Sequence, residues 1–575
     1  MSDLYRLATA LRSAPDATLG LVVHERGLYL GDYKDFFDLA NALLTPKSQA
    51  LTVAGITNQM LGSLRSLVAS EKVSKEQVNL LGRELLVWSA DEPSVYDWLK
   101  DRLNESPRTA SLSVVSNEAI DTDQSAIDLD CGIHAFEAMQ AVTELIFDLD
   151  QHLVREVAKG ALGLPDVKRA SAHLGKSKEY VKTIFELAKV AGLISASERR
   201  FQPTALADSW MSASPKARWL MLCEAWTSML GPAGLKEVST QLAQHKSKKL
   251  RDLIQISFPF ASLAPASRIN RLAEMADQIG LTSAGSPASW LADVLANKLP
   301  AASKALESRL PAQQERIIVQ ADLSIITPGP LASSLEVQLR KFADTENIGL
   351  ASSYRISPLS ISCGLEEGMT ENQIRLLLQK LNGSSLPQPV DYLIRETAER
   401  FGRLKISALE KGSLLISSDE LLAKQITMDS KLKPLLLEQR TSGIYSPLDA
   451  QSLYHALREN GYLAVLIDDK GKVIGPSSVH KSTNEAAAFL KQVERLRAQD
   501  IEMADAAPAS DMERKILLAL KTKSTLQVQI NANGKIMDFL LEPIGIANGR
   551  LRARDRKADI ERTLPVSAIT SILIG

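Results

Sequence analysis

Apolar residues recur at three- and four-residue spacing through "DFFDLANALL", "ITNQMLGSLRSLVAS", "SKEQVNLLGRELLVWSA" and "PSVYDWLKDRL", a periodicity that predicts helices over roughly the first 110 residues. The pattern lapses over residues 104–126, "NESPRTASLSVVSNEAIDTDQSA", where Ser, Thr, Asn and Asp accumulate and a loop or linker is expected. Helical spacing resumes at Ile127. Farther on, "RIIVQADLSII" alternates as one strand, while "LEVQLRKFA" and "ENQIRLLLQKL" return to helical spacing, so a mixed α/β region is expected. "GYLAVLIDDKGKVIG" reads as two strands around the turn "DDKG", and "EMADAAPASD", residues 502–511, as a linker. The last 65 residues are mostly strands with turns at "NANG" and "ANG", which predicts a small C-terminal β-barrel.

Residues 163–204 carry the grammar of a winged helix. A helix over Pro165–His173 meets a short turn, a second helix starts with Ser177 as N-cap and stops at Gly192, and "GLI" and "RFQPT" supply two short strands. Val181, Ile184, Phe185 and Ala188 mark the inner face of the second helix, and Lys178, Lys182 and Lys189 lie elsewhere on it. That geometry places the second helix in a major groove and the wing along the backbone. Lys176, Ser177, Lys178, Lys182, Arg199 and Arg200 are the candidate DNA contacts; the alternative is a protein-interaction winged helix whose lysines are a solvated face. Trp210, Trp219 and Trp226 sit at helical positions suited to core packing. The densest basic cluster, "HKSKKLRDL", offers Lys246, Lys248 and Lys249 either to phosphates or to water.

The expected architecture is therefore α+β, multidomain and mainly helical: an N-terminal helical domain (1–110), a winged-helix domain (127–235), a helical basic connector (236–310), a mixed α/β region (311–500) and a C-terminal barrel (512–575). A chain of 575 residues exceeds one core, in keeping with several domains. Hydrophobic residues at 45% and charged residues at 23% are a globular balance, without a span apolar enough for a bilayer or a signal-peptide start, so a cytoplasmic protein without membrane contact is expected. Net charge is −1, so any affinity for DNA must come from charge gathered on one face. Cys131, Cys223 and Cys363 are odd in number and far apart, which points to reduced thiols rather than a disulfide framework.

Catalytic signatures are missing. Gly175-Lys176-Ser177 resembles the end of a phosphate-binding loop, but the position five before it is Ala170 rather than glycine. "DLDCGIH" clusters Asp128, Asp130, Cys131 and His134, and Asp148 and His152 stand one helical turn apart, yet the second Cys pair a zinc site needs is lacking. No metal site, no cofactor and no enzyme activity are expected.

"VQADLSIITPGPL", "YRISPLSI", Gly368, "IRLLLQKLNGSSLP" and "FGRLKI" follow, in order and spacing, the pattern of the N-terminal domain of the XPB/Ssl2 helicases. The segment resembles the damage-recognition domain that precedes the motor in those enzymes. It is also similar to bacterial helicase-associated proteins that carry this domain without a motor, between a winged helix and a degenerate barrel. The resemblance implies contact with distorted duplex and with a separate helicase. By position it covers Asp322, Pro328, Gly329, Pro330, Tyr354, Arg355, Ser360, Gly368, Pro387 and Gly402, of which Tyr354 and Arg355 have side chains suited to a nucleic-acid surface. The C-terminal segment looks like a WYL-type domain, although Leu551-Arg552-Ala553 replaces the naming tripeptide and puts the family's ligand pocket in doubt. Arg550, Arg552 and Arg554 alternate there, so one strand face would hold three guanidiniums, as an anion or nucleic-acid site or paired with Asp555, Asp559 or Glu561.

These readings combine into a non-catalytic DNA-binding accessory protein in DNA repair that recognises distorted or junction DNA and works with a separate helicase. The alternatives are a WYL-type winged-helix transcriptional regulator and a protein-binding scaffold.

Overall fold

The computed structural model describes residues 3–16, 18–20, 35–88, 93–104, 123–152, 154–158, 160–197, 199–245, 249–261, 268–474, 491–499, 525–532, 535–547, 549–556 and 560–574, with a few isolated positions between them. The linkers expected at 104–126 and 502–511 fall almost entirely outside these residues. The protein is multidomain and mainly helical, with several small sheets. Its contacts divide into two compact units, Met1–Leu30 with Ala40–Lys491, and Gly31–Leu39 with Gln492–Gly575.

In the larger unit, one hydrophobic core runs from Cys131 to Leu306, so the segments 127–235 and 236–310 are packed together rather than as separate modules. Its axis is the long helix Gln124–Gln151, capped by Asp123, whose carboxylate accepts from Ser125 N at 2.9 Å. Four indoles fill the interior, and each N–H finds an acceptor: Trp210 on Thr143 Oγ1 (3.0 Å), Trp219 on Ile279 O (2.8 Å), Trp226 on Leu272 O (2.9 Å) and Trp290 on Gly280 O (2.9 Å). Large rings can be buried this deeply because their one polar group is satisfied. Gly280 is required where the chain turns back onto the long helix: its φ is +71°, and a Cβ there would stand 2.0 Å from the Cys131 carbonyl oxygen.

Two further lobes follow. The first has its own core, from Ile317 to Ile394, beneath a four-stranded antiparallel sheet in the order Asp344–Asn347, Ser353–Arg355, Ser324–Ile326, Ile318–Val319. "RIIVQADLSII" is thus a tight hairpin and not one strand. Asp322 Oδ1 accepts from Ser324 N (3.1 Å) and from its hydroxyl (2.6 Å), and Leu323 takes φ +71°, which reverses the chain inside the alternating pattern. The second lobe is a six-stranded sheet in the order Glu438–Arg440, Gly443–Ser446, Ser413–Ser417, Leu404–Ala408, Ala464–Ile467, Val473–Ile474. Only Leu404–Ala408 and Ala464–Ile467 are parallel, and the chain passes through helix Ala450–Glu459 before entering the second of them. The last pair, Ala464–Ile467 with Val473–Ile474, is the expected hairpin around "DDKG".

The smaller unit corrects the barrel. Its five strands form an antiparallel sheet in the order Ile560–Pro565, Arg550–Asp555, Lys535–Ala547, Leu526–Ala532, Ile569–Ile574, and the two outer strands do not pair with each other among the described residues. The sheet is open. Alternation reports which side of a strand is buried, but closure depends on the pairing of the two ends.

Candidate nucleic-acid interface

Helix Leu164–Leu174 has Pro165 in its first turn and stops at Gly175, whose φ of +60° is a left-handed cap. Ser171 Oγ donates to Lys176 O at 2.6 Å and tightens the turn. Ser177 then caps helix Lys178–Val190 by accepting from Tyr180 N at 3.1 Å. Val181, Ile184, Phe185, Leu187 and Ala188 are buried, and the Phe185 ring meets Phe201 edge-on at 4.9 Å. Strands Ile194–Ser197 and Arg200–Pro203 form a hairpin, and Arg155 pairs with Arg200 to lay a third stretch of chain beside it. Packing grips the C-terminal half of the helix, where Glu186 meets Arg271 at 3.0 Å, and leaves Lys178, Glu179 and Lys182 exposed in its first turns.

The candidate residues divide sharply. Lys178 and Lys182 are exposed and have no ion pair among the described residues. Lys176 is occupied, with its ammonium 2.7 Å from Glu137 and 5.5 Å from the Tyr180 ring centre. Ser177 spends its hydroxyl on the cap. Lys189 donates to Gly160 O at 2.9 Å. Arg199 is exposed at the hairpin turn with φ +61°, and Arg200 is half-buried. Lys249 stands at the N-cap position of helix Leu250–Ser257 with its stem against Gly285 and makes no side-chain cap bond, while Lys246 and Lys248 lie outside the described residues. Lys168, exposed on the preceding helix, and Arg155, exposed beside the hairpin, are basic neighbours that no motif marks.

Tyr354 is not a surface residue. It is 2% exposed in the core of its lobe, where burial pushes its hydroxyl up to about 12. Arg355 lies at the surface but is bound to the Glu346 carboxylate and donates to Asp322 O at 2.8 Å. Tyr354 belongs to the core of the lobe.

A polar cluster not apparent in the sequence lies beside Tyr354. Arg340, almost wholly buried, bonds Glu144 of the long helix, Glu336 Oε1 (3.0 Å) and Thr345 Oγ1 (2.9 Å), and lies 4.8 Å from the Phe147 ring centre. His173 Nε2 is 3.0 Å from the same Glu144. Burial alone would raise the Glu144 carboxyl, but Arg340 and the His173 hydrogen bond outweigh it and hold the group below the usual carboxylate range. A second cluster joins the two lobes: Tyr454 Oη donates to Glu366 Oε2 at 2.6 Å, and Arg458 bonds the same carboxylate and Leu359 O (2.8 Å).

A family model described as a helicase conserved C-terminal domain matches residues 317–441. The helicase-related segment takes in the whole first lobe and runs into the six-stranded sheet as far as strand Glu438–Arg440. No curated protein is significantly similar to the chain. Among the described residues no helix is long and apolar enough to cross a membrane.

In the smaller unit Arg550, Arg552 and Arg554 all project from the exposed side of their strand, while Leu551, Ala553 and Asp555 are buried. Arg552 is bound to Glu561 across the strand pair, with Nη2 3.1 Å from Oε2, so at least one guanidinium already has its anion within the sheet.

Proposed function

We propose that this is a non-catalytic DNA-binding accessory protein that recognises distorted or junction DNA and works with a separate helicase in repair. Helix Leu164–Leu174, the turn at Gly175, helix Lys178–Val190 and the following hairpin read as a winged helix. The observation that carries the proposal is the placing of Lys178 and Lys182: both are solvent-facing and unpaired among the described residues, on the N-terminal half of a helix whose remainder is fixed in a core. The N-terminal end of such a helix is the part that reaches base edges, and free cations there find phosphate partners that internal carboxylates do not pre-empt. The helicase-related match over 317–441 supports a partner motor, since the sequence has no phosphate-binding loop of its own.

Fluorescence anisotropy on duplex, fork, bubble and single-stranded DNA at two salt concentrations tests the reading. Affinity should fall steeply with salt, be strongest for the forked or bubbled substrate, and be lost in a Lys178→Glu/Lys182→Glu variant. Retention of duplex by that variant would turn the winged helix into a protein-binding module. A preference for one promoter sequence over every fork would make the protein a transcriptional regulator.

A further inference from the structure

Arg155 and Arg200 face each other in antiparallel pairing. The flanking hydrogen bonds run from Glu156 N to Arg199 O (2.9 Å) and from Phe201 N to Val154 O (3.0 Å), which makes the two arginines a non-hydrogen-bonded pair, the narrower of the two geometries in such a ladder. Their Cα atoms are then roughly 4.5 Å apart, with side chains on one face. Val154 and Phe201, on either side of the pair, are buried, so that shared face is the outward one. Like charges directly opposite destabilise a strand pair. The usual relief is an intervening carboxylate, and Arg155 has none among the described residues.

The neighbouring acids leave Arg155 unrelieved. Glu156 points to the other face and accepts from Gly160 N through Oε1. Asp449, a helix cap that accepts from Ser452 N (2.9 Å) and Ser452 Oγ (2.6 Å), acts on Arg200 and not on Arg155. Glu198, before Arg199, lies outside the described residues. Arg199 adds a third exposed guanidinium at the turn.

We propose that Arg155, Arg199 and Arg200 form a phosphate clamp on the sugar-phosphate backbone of duplex DNA, alongside the groove occupied by helix Lys178–Val190. The inference rests on the DNA-binding reading above and adds to it a residue from outside the helix-turn-helix. A phosphate between Arg155 and Arg200 converts a repulsive pair into two charge-assisted hydrogen bonds, and a planar guanidinium suits that geometry better than an ammonium.

Anisotropy with a 20-bp duplex across a salt series, for the wild type, Arg155→Gln, Arg200→Gln, the double variant and Lys178→Glu/Lys182→Glu, tests the clamp. Arg155→Gln should weaken binding on the order of tenfold at low salt, equally for unrelated duplex sequences, and should reduce the slope of log K against log salt by about 0.9 for the phosphate released. Its melting temperature should equal or exceed that of the wild type, because a repulsion has been removed. An unchanged slope and affinity in Arg155→Gln overturns the clamp, and so does a lowered melting temperature. If Lys178→Glu/Lys182→Glu abolishes binding while Arg155→Gln binds as the wild type, the clamp alone fails; a wild type that binds no duplex defeats both.

Discussion

Glu144 and Arg340, 196 residues apart, meet as a buried ion pair that joins the long helix to the helicase-related lobe. Without Arg340 the buried Glu144 carboxylate keeps only His173, and without Glu144 Arg340 keeps only Glu336; removing one partner of such a buried pair costs about 3–5 kcal/mol. Arg340→Met should therefore lower unfolding free energy by about that much in urea titration, and Glu144→Gln by a smaller amount because the amide still accepts. The Glu144→Leu/Arg340→Met double variant should be less destabilised than Arg340→Met alone. Losses in Glu144→Leu and Arg340→Met that simply add in the double variant would show that the two side chains are not coupled.

At the end of the same helix, Asp148 Oδ2 lies 2.9 Å from Arg169, and Oδ1 lies 3.1 Å from His152. Burial raises the Asp148 carboxyl, but the hydrogen bonds from His152 and Arg169 prevail and hold it down at about 2. An unfolded aspartate titrates near 3.9, so this group contributes about 2 kcal/mol that is present above pH 4 and lost as pH falls through about 2. The Asp148 hydrogen bond raises His152 above its ordinary value despite partial burial. Its contribution is complete below about pH 6.5 and is lost as pH rises through the raised value. Thermal melts should accordingly separate wild type from His152→Gln most at pH 5.5, with the gap closing above neutrality; a constant gap across that range would dispose of the linkage.

Tyr454→Phe removes the donor that satisfies the buried Glu366 carboxylate at 2.6 Å. A loss of about 1–3 kcal/mol is expected, since the carboxylate stays buried with one partner fewer. Differential scanning calorimetry should show a lower melting temperature with no change in DNA affinity.

Gly280→Ala places a methyl group on the Cys131 carbonyl oxygen at a positive φ. Strain and overlap act together there, so the variant should lose well over 1 kcal/mol, whereas Gly383→Ala, also at positive φ but with open space around its Cβ, should lose only about 1 kcal/mol. Urea midpoints of the two variants measure the difference.

Tyr354→Phe and Arg355→Gln should leave DNA affinity unchanged in the anisotropy assay, because one side chain is core and the other is bound to Glu346. A drop equal to that of Lys178→Glu would return both to the interface.

Local chemistry was legible in the sequence. Gly175, Ser177 and the apolar spacing of Val181, Ile184, Phe185 and Ala188 place the two helices and their turn within a residue or two, because caps and periodicity act over a few positions. What escaped depends on distant chain. Tyr354 and Arg355 are neighbours on one strand and so face opposite sides, and the side that is covered, where Tyr354 lies, packs against Arg340 and the helix that carries it. Arg155 lies 45 residues before its partner and is marked only by pairing, and the open terminal sheet differs from a barrel only in the relation of its outermost strands. The reversal at Leu323 is set by the Asx turn of Asp322, which the alternating pattern does not mark.

The paired charges that cross from one lobe to the next make residues 317–441 a poor unit to excise. A fragment cut at those limits keeps Arg340 and Glu366 but leaves behind Glu144, Tyr454 and Arg458, so groups that were solvated by protein would face water beside a Cys363 stripped of Arg458. Inheritance of a recognisable segment and autonomy in folding are different properties of this chain, and expression trials should begin from Gln124 and end beyond Ile474.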